Sequence, residues 1–232
     1  MKKVAPGRVI DITPFSEGFL YVVEDKLPDG TYKASFYSYN HLTLNTTAVT
    51  RVEYQKYKFG FAYEEIVKEI VDYIFCDVCK FSDNTVLVNS HDGYISVFDN
   101  QGKLTFDGEI LYKNANLSGA CVDNDTLWFA VKDKNCIINY SPLKRKILTR
   151  IGGGINTGFA GPVNIFKRDN YLYVSNSHNN SIRVFNTDTL VASGYLKFKE
   201  ELKNFFKVGT IEYVHLTSGI YALDYTDIPR LD

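Results

Sequence analysis

A short motif recurs along this chain, and the recurrence limits its fold more than any other feature. The motif is an apolar strand, a polar turn, and a second run of branched and aromatic residues. It is clearest from Gly158 to Asp188, where Pro162–Ile165, Tyr171–Val174 and Ile182–Phe185 are separated by Lys167–Asn170 and Asn176–Ser181. Short apolar runs bounded by Asn, Asp and Ser read as an antiparallel meander, because those side chains bond their own turns. The same pattern opens at Ile10–Val23, Cys76–Val88, Gly119–Phe129 and Glu212–Leu223. The first four copies continue into third strands at Tyr32–Tyr39, Tyr94–Asp99, Cys136–Tyr140 and Ser181–Asn186. Fourth strands are expected at Thr47–Tyr54, Leu104–Leu111, Lys146–Ile151 and Val191–Phe198.

Equivalent anchors on the second strands are Tyr21, Leu87, Trp128, Tyr173 and Tyr221, spaced by 66, 41, 45 and 48 residues. A period of ~40–50 residues with four strands per unit marks a β-propeller, in which each small sheet must bury its faces against its neighbours. The expected fold is all-β, a five-bladed β-propeller occupying 1–232 as a single domain. Five copies can be counted, so a six-bladed or incompletely closed ring ranks second. Residues 1–7 are available as an edge strand to close the thin last blade. Two spacers, 63–73 and 199–206, place apolar residues on one helical face (Ile66, Val67, Ile70, Val71; Leu202, Phe205, Phe206) and predict short helical insertions.

Composition supports a packed β domain and excludes several functions. With 17 Tyr and 16 Phe against one Met and one Trp, the chain is rich in strand formers. Net charge is −1 with both signs interspersed, so there is no basic field for nucleic acid. No apolar run reaches the ~18 residues of a membrane helix, and the N-terminus lacks an apolar leader, so a cytoplasmic location is expected. Cys76 and Cys79 form a CxxC inside a strand-like run, where positions three apart face opposite ways. With Cys121 and Cys136 they read as reduced structural thiols.

Phe159–Ile165, Asp169–Ser177 and Asn179–Phe185 together resemble an NHL repeat: a Gly/Phe/Pro entry, an aspartate turn, a YV-x-N strand and an N-x-I-x-V-F exit. The resemblance covers about 147–187, and Asp83–Asp99 follows it more loosely. It implies a propeller. It does not imply one activity, since such propellers serve as interaction platforms, ligand binders, lyases or hydrolases.

First strands line a propeller's channel, and their polar residues are read as Asp11, Asp77, Ser118, Asn164 and Glu212. Carboxylates converging with Asn supply oxygen ligands for a hard cation such as Ca²⁺. Polar strand ends beside a wet channel account for the same residues without an ion, and this reading is preferred. His91 and His178 occupy equivalent second-to-third-strand hairpins, with Asp133 at the same place in the blade between, which makes His91, Asp133 and His178 a second, metal-compatible candidate set. Tyr37, Tyr39, Tyr54, Tyr57, Phe59, Phe61 and Tyr63, with Lys56 and Lys58 interleaved, are read as an outer packing layer or a binding surface.

No nucleophile elbow, HExxH, Walker loop or dinucleotide fingerprint is present. The leading expectation is therefore a non-catalytic module that binds another protein or peptide, or a small molecule or sugar, without a cofactor. The alternatives are a metal-dependent hydrolase or lyase with a divalent ion in the channel, and a carbohydrate-binding propeller.

Overall fold

The computed structural model describes residues 1–60, 76–81, 84–89, 94–110, 112, 115, 117–154 and 158–224. They form five four-stranded antiparallel sheets arranged as blades of a ring. Strand β1 (Lys2–Pro6) comes first. Blade 1 follows as β2 (Val9–Phe15), β3 (Gly18–Lys26), β4 (Tyr32–Asn40) and β5 (Asn45–Val49). Helix α1 (Arg51–Phe59) leads to blade 2: β6 (Cys76–Lys80), β7 (Asn84–Asn89), β8 (Tyr94–Asp99) and β9 (Leu104–Glu109). Blade 3 is β10 (Gly119–Asp123), β11 (Thr126–Val131), β12 (Cys136–Ser141) and β13 (Lys146–Gly152). Blade 4 is β14 (Pro162–Arg168), β15 (Tyr171–Asn176), β16 (Ser181–Asn186) and β17 (Ala192–Lys197). Blade 5 is β18 (Leu202–Val208), β19 (Ile211–Leu216) and β20 (Gly219–Ala222), with β1 added as its outer strand. Among the described residues, no helix is long and apolar enough to cross a membrane.

The ring closes through that shared blade. Lys2 and Lys3 pair with Ala222 and Tyr221, and after a bulge Ala5 and Pro6 pair with Ile220 and Gly219. Residues 1–7 thus supply the edge strand the sequence offers. The core lies between blades, one apolar cluster per junction. Phe19, Tyr21, Tyr39, Phe206, Tyr213 and Ile220 fill the gap between blades 5 and 1. Leu127, Phe129, Ile138 and Ile95 join blades 2 and 3. Leu202, Phe205, Val214 and Ile182 join blades 4 and 5.

Two expected elements differ. The segment 199–206 is not a helix: its apolar residues belong to β18, the inner strand of blade 5. Phe205 packs on Phe166 and Tyr173 of blade 4, and the adjacent Phe206 packs on Phe19 of blade 1. Consecutive Phe205 and Phe206 are both buried because each faces a different blade, and the bulge between Leu202 and Asn204 shifts the apolar spacing to a helix-like one. Blade 5 consequently begins ten residues before the expected Glu212, and Glu212 lies on its second strand, not its first.

The expected strand 47–54 is also cut short, ending at Val49. Thr50 caps α1 through a reciprocal box: its hydroxyl accepts from the Glu53 N–H at 3.2 Å, and its own N–H donates to the Glu53 carboxylate at 2.7 Å. Tyr54 and Phe59 of α1 are buried with Leu20 and Val22 of blade 1 and Phe98 of blade 2, so the helix fills the junction of those blades. The helix expected at 63–73 lies outside the described residues.

Candidate functional site

Because each blade repeats the same hairpin, register places residues at common depths around the axis. Asp11, Asp77, Gly119, Asn164 and Asn204 each pair with the fifth residue of the second strand: Val22, Val88, Ala130, Ser175 and His215. These five positions form one ring. In blades 1, 4 and 5 a bulge immediately precedes the ring residue, and a bulge re-aims the side chain that follows it. Gly119 leaves a gap in the polar circle for a steric reason. A Cβ there would sit 2.9 Å from both the Asn164 Cα and the Val163 carbonyl, so glycine is what lets blades 3 and 4 meet at this level. Ser118 ties the same junction, its hydroxyl donating to the Pro162 carbonyl at 2.7 Å.

Above the ring lies a cavity of about 540 Å³ to which all five inner strands contribute. Asp77, Asn164 and Asn204 form its floor. Ile12, Val78, Val122 and Phe166 supply partly exposed apolar lining, Ser16, Lys80 and Lys167 line it further along the chain from the ring, and Tyr57 and Lys58 of α1 also border it. Lys167 is paired with Asp123 at 3.1 Å. Lys80 is exposed and has no ion-pair partner among the described residues. Cys121 also lines the cavity, but burial, reinforced by Asp123, pushes its thiol pKa up, so it is no thiolate nucleophile.

The electrostatics of the floor depend on α1. Lys58 is only 5% exposed, and its ammonium meets Asp11 Oδ2 at 2.5 Å. The Tyr54 hydroxyl donates to the same oxygen at 2.9 Å, and the Ile12 N–H donates to Oδ1 at 3.0 Å. Burial raises the Asp11 pKa, opposed by the charge of Lys58 and by these hydrogen bonds. Asp77 is pushed up to about 6, first by burial and further by the charge of Asp11, with Lys58 pulling the other way. Two carboxylates therefore lie near one ammonium, and burial leaves Asp77 titrating at about 6.

That shift has a definite sign. The folded protein retains a proton on Asp77 that the unfolded chain, with an ordinary carboxylate, releases. Stability from this group falls as pH rises from about 4 to about 6 and is level above. Asp77→Asn is expected to raise stability by roughly 2–3 kcal/mol at pH 7.5, the gain vanishing toward pH 4. Urea titrations of both proteins across that range test this; an Asn variant no more stable at pH 7.5 than at pH 4, relative to wild type, would refute it.

The other expected residues fall elsewhere. Glu212 is buried between blades 4 and 5, where Arg168 donates to its Oε1 at 2.8 Å. His178 is exposed in the β15–β16 hairpin, its ring against Gly161. Asp133 is exposed in a 3-10 turn, Lys132–Lys134. His91 lies outside the described residues. Among the described residues, no three His, Cys, Asp or Glu side chains are grouped to hold a metal. Asn204 escaped the sequence reading, and Lys58, read there as part of an outer packing layer or binding surface, instead reaches inward to Asp11.

No family model and no curated relative matches the chain. Solved structures do. A Myxococcus xanthus glutaminyl cyclase aligns with a TM-score of 0.56 at 7% identity, covering 100% of this chain and 94% of the other. A Staphylococcus aureus virginiamycin B lyase aligns at 0.55 and 13%, covering 91% and 78%. A streptogramin B lyase aligns at 0.53 and 12%, covering 98% and 69%. At such identities these likenesses speak to the fold alone, and what they show is a β-propeller.

Proposed function

We propose that this protein is a ligand-binding β-propeller, with NHL-like blades, whose central channel takes one small polar molecule. The observation that carries the reading is the cavity: about 540 Å³, lined by all five inner strands, with both apolar side chains and the polar Asp77, Asn164 and Asn204 in its lining. Small-molecule sites have this build and fall in the range of ~300–1,000 Å³. The floor favours binding without a metal. The ammonium of Lys58 already supplies positive charge to Asp11 and lies close enough to lower the pKa of Asp77, the part a divalent ion would play.

A thermal-shift screen of amino acids, organic acids, nucleotides and sugars tests the proposal. At least one compound class is expected to raise the wild-type Tm by about 4 °C or more. Two channel-filling variants, Asn204→Trp and Ala120→Leu, are the controls, each first shown to melt cooperatively. The same compounds are expected to leave whichever folds unshifted. A screen with no shift, or with shifts equal in wild type and blocked protein, removes the reading.

A further inference from the structure

The ring of polar positions has a second side. Bulges leave Ile10 of β2 and Lys203 of β18 as the extra residues just before Asp11 and Asn204, and a bulge re-aims such side chains. Both line a cavity of about 520 Å³ in the seam between blades 1 and 5, completed by the polar Arg8, Glu24, His215 and Thr217. Its inner-strand residues precede the ring, whereas those of the channel follow it.

His215 carries the local chemistry. It is 8% exposed, and burial, reinforced by the charge of Lys203, lowers its pKa to about 4. Its ring also interacts with the backbone of Val9, the residue after Arg8. A neutral imidazole is therefore set between two cations. Both cations keep donors for a further partner. Arg8 meets Glu24 through one nitrogen at 2.8 Å, and Lys203 meets Glu201 at 2.7 Å, yet the two side chains are 65% and 42% exposed. A guanidinium has five N–H donors and an ammonium three, and exposed pairs of this kind yield readily to a competing anion. Thr217 adds a hydroxyl from the β19–β20 turn, which is tied down by its own N–H donating to the Glu201 carbonyl at 3.2 Å.

We propose that this seam binds a phosphorylated small molecule, its phosphoryl group held by Arg8, Lys203 and Thr217 and its organic part lying against Ile10. Donors from three separate elements suit a group with three terminal oxygens, and two cations match its double charge, whereas a carboxylate needs only one. The cavity is larger than a bare phosphate, which leaves room for the ester's organic part. The site is distinct from the channel and does not rest on that reading. The charges around His215 are Lys203 from β18, Glu201 just before it, Arg8 ahead of β2 and Glu24 from β3. A bound dianion adds to them and favours the imidazolium, so His215 titrates at higher pH in the complex.

Isothermal calorimetry on the whole chain at low salt tests this with sugar phosphates, sugar acids of matched skeleton, the parent sugars and inorganic phosphate. Sugar phosphates are expected to bind, sugar acids and inorganic phosphate at least about tenfold more weakly, and parent sugars not at all. Arg8→Met and Lys203→Met, at exposed positions, are each expected to weaken binding about tenfold, and Glu24→Gln to strengthen it. Lys146→Met in blade 3 and the channel-filling Ala120→Leu are expected to leave it unchanged. By NMR, the His215 ring is expected to titrate about 1 pH unit higher with the sugar phosphate bound. Sugar acids or inorganic phosphate that bind as tightly as the esters overturn the assignment. So does a loss in Lys146→Met equal to that in Lys203→Met, which marks a diffuse charge effect. Sugar-phosphate binding abolished by Ala120→Leu overturns the seam site and supports the channel reading instead. No sugar-phosphate binding overturns the seam site and leaves the channel reading standing.

Discussion

Replacing Lys58 by Met is expected to destabilise the protein by about 3–5 kcal/mol at neutral pH, because it strips the counter-charge from a buried carboxylate. Asp11 is largely enclosed, and after the change its donors among the described residues are the Tyr54 hydroxyl and the Ile12 N–H. Two neutral donors do not replace an ammonium. The loss has a signature that a packing defect lacks. Asp11 escapes the penalty by binding a proton, so the difference from wild type should shrink in acid. The double variant Lys58→Met with Asp11→Asn removes the uncompensated charge and should recover much of the loss. Urea denaturation at neutral and acid pH, for wild type, both single variants and the double, decides the matter. A loss below about 1 kcal/mol at neutral pH would mean that water or another group compensates Asp11.

The second large effect is expected at Phe19. Its side chain is fully buried at the junction where the ring closes, with Tyr39, Phe206 and Tyr213 at centroid distances of 5.0, 5.2 and 5.3 Å. Phe19→Ala opens a cavity between blades 5 and 1 and removes those ring contacts, a cost of about 3–5 kcal/mol. The only tryptophan, Trp128, lies in blade 3, away from that junction. Its fluorescence therefore reports on a blade the substitution does not touch. If the ring unfolds as one unit, Trp128 fluorescence and circular dichroism will shift to lower urea together. A variant in which blade 3 keeps its wild-type midpoint would show that the blades unfold separately.

The parts of this fold that were legible share a physical origin. Asp169–Asn170 and Asn124–Asp125 make two-residue turns, with Asp169 and Asn124 at positive φ, where short polar side chains are tolerated. Such turns mark strand ends clearly, so blades 3 and 4 could be read almost to the residue. Blade 5 could not, because β18 is apolar on both faces and carries a bulge. Asn204 was lost with it, which removed one member of the floor from view. Lys58 is a different case. The start of its helix was written in Thr50-Arg51-Val52-Glu53, a capping-box pattern. Nothing local reveals that Lys58, near the end of that helix, reaches Asp11 on the first strand of blade 1. That contact is long-range and exists only once α1 has folded back on blade 1.

Closure through β1 bears on how the protein is made. Strand β1 leaves the ribosome long before β20, yet Lys2 must find Ala222. Blades 1 to 4 have their own four strands and can form as they emerge, whereas blade 5 waits with an open edge for a partner of great sequence separation. An open edge does not distinguish its own β1 from that of another molecule. Two half-closed chains meeting at this stage can exchange the strand, each completing the other's ring with the same hydrogen bonds. Protein concentration during folding then sets the balance between closed monomers and swapped pairs.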